Sequence, residues 1–116
     1  MIFKKEFLPL ILSGRKTQTR RTYSRLLRIG QIYSVQVNRT QSTGYYIKVL
    51  NRYSQQLSEV SEAEANKEGF NNLEEFKDAW IKITGKWNPT HEVVAYEFKL
   101  TKPPKNTTLQ KWTQNP

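Results

Sequence analysis

Two rhythms of apolar positions run along the chain. Between residues 91 and 100, Val94, Tyr96, Phe98 and Leu100 alternate with polar positions that include Glu92, Glu97 and Lys99. That is the period of a strand with one buried face, and it predicts a strand through the centre of a sheet. Ile32, Val35 and Val37 predict another over 31–38, and Tyr46, Ile47, Val49 and Leu50 a third over 45–53. The turn-like stretch 39–44 between them makes the pair a hairpin. Residues 1–3 read as a further short strand.

The second rhythm is helical. Phe7, Leu10 and Ile11 share one face of a helix over 5–13 that Gly14 stops. Pro9 is tolerated only in its first turn, which sets the start near Glu6 or Phe7. Ser61 and Glu64 form a capping box for a short helix closed by Gly69, and Asn72 with Glu75 repeats the device. The helix over 73–84 places Leu73, Phe76, Trp80 and Ile83 on one core stripe and ends at Gly85. Trp87 then packs under the following loop, or stacks on a base. Residues 14–30 have little periodicity and read as an exposed functional loop.

These elements predict one α+β domain over 1–100, with a mixed or barrel-like sheet and about three short helices. Residues 101–116 are poor in apolar side chains except Trp112, which predicts a poorly structured tail.

Composition narrows the chemistry. The 116 residues contain no cysteine, which excludes disulfides, thiol nucleophiles and cysteine-bound metals. His91, the single histidine, has no partner ligands in sequence, so neither a metal site nor a cofactor is expected. The longest apolar run, 7–12, is short and contains Pro9, so no membrane span is expected. Glu6 interrupts any signal-peptide pattern, and the cytoplasm is the expected location. The net charge is +9, and it is segregated: residues 1–58 hold eleven Lys and Arg against one acid, residues 59–100 five against nine. Such a field favours polyanionic partners.

The densest basic segment follows the first predicted helix. Arg15, Lys16, Arg20 and Arg21 stand among Thr17 and Thr19, with Tyr23 and Arg25 just beyond. Guanidinium forks, an ammonium and hydroxyls suit phosphate oxygens and base edges, and Tyr23, Tyr45 or Tyr46 offers a stacking platform. The glycine pattern of a Walker loop is missing.

Gly14-Arg15-Lys16-Thr17, Gly30 with the strand after it, Glu68-Gly69-Phe70, Leu73-Glu74-Glu75-Phe76, Trp80, Trp87 and Tyr96-Glu97-Phe98 together resemble the ASCH domain family over residues 1–100. The resemblance implies a PUA-like β-barrel with a basic cleft suited to RNA. Stand-alone members similar to this chain hydrolyse the acetyl amide of N4-acetylcytidine with a lysine, a threonine and a glutamate. The matching positions here are Lys16, Thr19 and Glu68. The doubled Arg20-Arg21 stands where that branch carries a single arginine followed by an acid.

Each matched residue also has a plainer reading: Lys16 as a phosphate contact, Thr19 as a loop hydrogen bond, Glu68 as a counter-charge. The leading expectation is a monomeric domain binding RNA, a nucleotide or a nucleoside through Arg15, Lys16, Thr17, Thr19, Arg20, Arg21, Tyr23 and Arg25. The alternative is an amidohydrolase using Lys16, Thr19 and Glu68. A third is a protein-recruitment module acting through its acidic helices.

Overall fold

The structure, a computed structural model, describes residues 1–22 and 25–104. Tyr23 and most of the expected tail, Trp112 included, lie outside the described residues. A 3₁₀ turn, Lys5–Phe7, leads into α1 (Leu8–Leu12). Strands β1 (Gln18–Thr22), β2 (Ile32–Gln36) and β3 (Ser42–Gln56) follow, then α2 (Glu62–Glu68), α3 (Leu73–Thr84) and β4 (Glu92–Thr101).

The four strands form one curled antiparallel sheet in the order β1-β4-β3-β2, a half-barrel in an α+β domain with three helices. The expected mixed sheet reduces to a parallel bridge between Ile2 and Gln36, which is all that residues 1–3 add as a strand. The alternating strand β4 is interior, and β2 and β3 form the expected hairpin, with β3 longer at both ends. Pro9 occupies the first turn of α1, where its missing N–H is not needed. Among the described residues no helix is long and apolar enough to cross a membrane.

β4 organises the core on both of its faces. Phe98 packs with Phe3, Ile11, Val35 and Ile47 on one side. On the other, Val93 joins Leu57, Ala65, Phe76 and Trp80 beneath α2 and α3. Trp87 packs edge-on against Phe76, 6.1 Å between centroids, and the half-buried His91 lies edge-on to Trp80. Ile83 departs from the expected core stripe: it is 60% exposed because the last turn of α3 extends past this cluster.

The largest departure is at 14–30. Its centre is not an exposed loop but the edge strand β1, with Lys16, Gln18, Thr19 and Arg20 all buried. Polar side chains fill both faces of this strand, so no apolar alternation marks it.

The caps of α2 fix where its acids point. Ser61 accepts from the Glu64 N–H while Glu64 accepts from the Ser61 N–H, as the capping box requires. At α3, Asn72 caps Glu75 as expected, but the Glu75 carboxylate turns to the Asn71 N–H, so the box is not closed. Gly69 ends α2 with φ of +107°, a left-handed conformation that disfavours a side chain. A Cβ there would stand 3.0 Å from Leu10 Cδ1 and 3.6 Å from Lys16 Cβ. The bare backbone lets the end of α2 settle onto the segment that carries Lys16.

Candidate functional site

The site lies where the polar edge strand meets the C-terminal turn of α2. Lys16 leaves the α1–β1 connection with its backbone N–H on the Leu10 carbonyl, and Thr17 then ties α2 to β4. The Thr17 N–H donates to the Lys67 carbonyl, and the Phe98 N–H donates to the Thr17 carbonyl. Lys16 is thereby carried under α2, where only 3% of it is exposed.

Its ammonium donates to the Glu68 main-chain carbonyl at 2.7 Å and to Glu68 Oε1 at 3.1 Å. It also lies 4.5 Å from the centroid of the Phe7 ring. The first contact satisfies a carbonyl left open at the helix end, and the second pairs two buried charges. Burial lowers the Lys16 pKa; Glu68 pulls it back up, and Arg21 and Arg20 push it down again. A lysine so placed yields its proton more readily than one in water.

Thr19 is buried on β1, and its hydroxyl oxygen accepts from Arg21 Nε at 3.2 Å. Because the oxygen is the acceptor there, the hydroxyl proton is left for another partner. Arg21 also donates to the Ile2 carbonyl at 2.8 Å and lies 5.0 Å from the Phe3 ring centroid. Burial lowers its pKa, against Glu68 and Tyr96, but a guanidinium stays charged in proteins.

Arg20 points the other way, as alternation along a strand demands. It is the hub of a closed polar network. Nε donates to Gln55 Oε1 at 2.6 Å; one terminal nitrogen donates to Gln18 Oε1 at 2.9 Å and Glu68 Oε2 at 3.0 Å. The other donates to the Tyr53 hydroxyl at 3.1 Å and Glu64 Oε2 at 2.7 Å. All five guanidinium donors are engaged.

Tyr53 in turn donates to Glu64 Oε2. Burial and that bond push its pKa up to about 12. Burial acts to raise Glu64, but bonds from Tyr53 and Ser61 and the Arg20 charge leave it below the usual carboxylate range. Among the described residues the ion pairs are Lys16–Glu68, Arg20–Glu64 and Arg20–Glu68. No buried side-chain polar atom among them lacks a partner.

Lys16, Thr19 and Glu68 border one open cleft of about 430 Å³, within the range of small-molecule sites. Its apolar wall consists largely of Phe3, Phe7, Phe70, Phe76 and Trp80. Arg20 and Arg21 line it too, and the other sequence-expected residues scatter. Arg20 is buried in its network, so the phosphate role expected of it has no free donor behind it. Arg15 is exposed and donates to the Phe70 carbonyl and Asn71 Oδ1. Arg25 is exposed in a bend, Thr17 serves through its backbone, and Tyr45 and Tyr46 belong to β3.

Sequence reading missed Glu64, Tyr53, Gln55 and Gln18 as members of the site. Glu64 was legible only as a cap, although its spacing of four from Glu68 places both acids on one face of α2.

Comparison with known proteins agrees with this architecture. The family model for the ASCH domain matches residues 1–102. No curated protein matches the sequence significantly. Among solved structures, an ASCH domain from Lactobacillus crispatus superposes with a TM-score of 0.68 at 18% identity, over 79% of this chain and 68% of that one. The ASCH protein of Zymomonas mobilis gives 0.62 at 16% identity, over 99% and 78%. A protein from Enterococcus faecalis gives 0.61 at 22%, over 79% and 64%. At these identities the likeness speaks for the fold, and the family model, spanning most of the chain, settles the family: this chain belongs to the ASCH domain family.

Proposed function

We propose that the chain is an amidohydrolase that removes the acyl group from an N4-acylated cytidine or a related acylated nucleoside. One observation carries the reading: a lysine with 3% exposure, bound to Glu68, shares an aromatic-walled cleft with a threonine whose hydroxyl proton is unspent. A buried, easily deprotonated amine near a hydroxyl is the arrangement by which threonine becomes a nucleophile.

The steps follow from the groups present. Neutral Lys16 takes the Thr19 hydroxyl proton as Thr19 Oγ1 attacks the amide carbon. The charge of Arg21 favours the alkoxide character that develops on that oxygen. Lys16 then returns the proton to the departing N4 amine as the C–N bond breaks, leaving an acyl ester on Thr19. Water, deprotonated by the same amine, attacks the ester; the bond to Thr19 Oγ1 breaks, Lys16 returns the proton to that oxygen, and the acid is released. Glu68 holds the lysine throughout, and neutral lysine keeps two N–H donors for the two Glu68 oxygens it now serves. The aromatic wall suits a planar base.

The test is incubation of the full-length chain with N4-acetylcytidine. Equal amounts of acetate and cytidine are expected. Absence of both, with N4-acetylcytidine and with longer N4-acyl homologues, sinks the reading.

RNA binding is the second reading, favoured by one observation: the ion pairs among the described residues lie inside the site, while Arg15 and Arg25 are exposed. If both contact phosphate, Arg15→Ala with Arg25→Ala lowers the slope of log K against log salt by about 1.4 for a single strand. An unchanged slope removes them from the interface.

A further inference from the structure

Arg20 is the one charge touching Glu68 that the acyl transfer does not use. Its side chain has no exposed surface, although its strand position borders the cleft. Yet it takes one oxygen of the carboxylate whose other oxygen holds Lys16. A strut joining β1 to α2 would be complete with Glu64, which Arg20 already engages at 2.7 Å.

We propose, building on the deacylation reading, that Arg20 is a positioning residue: it pins Glu68 from behind, weakens that carboxylate's hold on the Lys16 ammonium, and leaves Lys16 free to surrender its proton. The surrounding charges are consistent with this. Around Lys16 stand Glu68 from α2 and Arg20 and Arg21 from β1, with the uncharged Phe7 ring from the 3₁₀ turn and Lys4 on the same cleft. Around Arg20 stand Glu64 and Glu68 from α2, and Tyr53 and Gln55 from β3. Gln18 of its own strand hands on to Glu97 of β4 at 3.3 Å. Three buried or half-buried cations, Lys16, Arg20 and Arg21, thus face two carboxylates, Glu64 and Glu68. Guanidinium groups keep their protons, so the excess is relieved only at Lys16. Burial is the larger influence on Lys16, and Arg20 acts in the same direction.

The proposal has a signed consequence. Removing Arg20 returns both Glu68 oxygens to Lys16 and deletes a positive neighbour; both changes favour the ammonium. Neutralising Glu64 does the reverse, because Arg20 then has Glu68 as its one carboxylate.

The experiment follows the Lys16 Nζ signal by NMR across pH in ¹⁵N-lysine-labelled full-length protein. Wild type is compared with Arg20→Met, Arg20→Lys and Glu64→Gln, each checked for folding by its amide spectrum. The midpoint is expected to rise in Arg20→Met, where a positive neighbour is lost and Glu68 turns to Lys16. It falls in Glu64→Gln and stays nearer wild type in Arg20→Lys. Should Arg20→Met fail to fold, the other two still decide. An unmoved or raised midpoint in Glu64→Gln, or an unmoved one in a folded Arg20→Met, overturns the proposal. The readout needs no turnover, so it stands apart from the deacylation test. Where deacylation is measured, the acid limb of kcat/KM must travel with the Lys16 midpoint; a limb that stays put severs Arg20 from the reaction.

Discussion

Strands β4 and β1 lie side by side in one sheet, paired from Gln18 with Glu97 to Thr22 with Val93, yet opposite forces hold them. β4 buries Val93, Val94, Ala95, Tyr96 and Phe98 among three apolar clusters. Each such side chain gains stability from its own removal from water, by about 1.5–3 kcal/mol for a large one. β1 buries Gln18, Thr19 and Arg20, which stabilise nothing unless every donor finds its acceptor. The apolar strand tolerates approximate partners; the polar strand does not. The candidate site is built beside the second, where charged groups sit in a low-dielectric setting at fixed distances.

The sharpest way to break the comparison is a matched pair of substitutions. Phe98→Ala and Arg20→Met should each cost about 3–5 kcal/mol in urea unfolding, the first by opening a cavity and the second by breaking the buried ion pairs to Glu64 and Glu68. The losses differ in how they are recovered. Adding Glu64→Leu to Arg20→Met should restore a large part of the stability, since a buried ionic cluster replaced by apolar groups is often neutral. No neighbouring charge change rescues Phe98→Ala. If Glu64→Leu deepens the loss instead, β1 is not held by its ionic partners.

A smaller effect is expected at the seam between the two regions. Gly69→Ala places a side chain at φ of +107° against Leu10. The left-handed conformation alone costs about 1–2 kcal/mol. The end of α2 should also shift away from Lys16, visible as altered amide shifts at residues 16 and 68. A substitution with no change in stability or shifts would show that α2 does not rest on this contact.

The smallest effect belongs to Tyr53→Phe, which deletes one hydroxyl from the network and should cost about 1 kcal/mol near neutral pH. Its signature is the pH dependence. The Tyr53 pKa is raised in the fold to about 12 from an ordinary value of 10.0. The neutral phenol therefore adds stability that is complete below pH 10 and is lost as pH rises toward 12. Glu64, lowered in the fold, adds stability present above the ordinary carboxylate range and lost as pH falls through its native value. Phenylalanine should flatten the alkaline loss, and its removal of a bond to Glu64 should soften the acid loss as well. An alkaline limb identical to wild type assigns that loss to another group.

The same contrast explains what the sequence made legible. β4, the hairpin, α2 and α3 announce themselves because periodicity or a cap records which side is buried. β1 does not, since hydropathy has no symbol for a polar residue whose partner lies forty or more positions away, as Glu64 and Glu68 do from Arg20. Lys16, Thr19 and Glu68 were matched through family resemblance, which puts a single arginine where Arg20-Arg21 stands; Arg20 was read as a phosphate contact and is a buried hub. Ile83 shows the converse: a correct helical stripe says nothing of where the neighbouring core stops.

The most direct test of the account is turnover of N4-acetylcytidine by Lys16→Met, compared with wild type at equal folded concentration. Methionine keeps the unbranched packing under α2 and removes the amine. If Lys16 is the base that activates Thr19, turnover falls by roughly 10²–10⁴-fold while the thermal transition is retained. Activity within a few-fold of wild type would contradict the account, because the cleft would then work without the buried amine around which it is built.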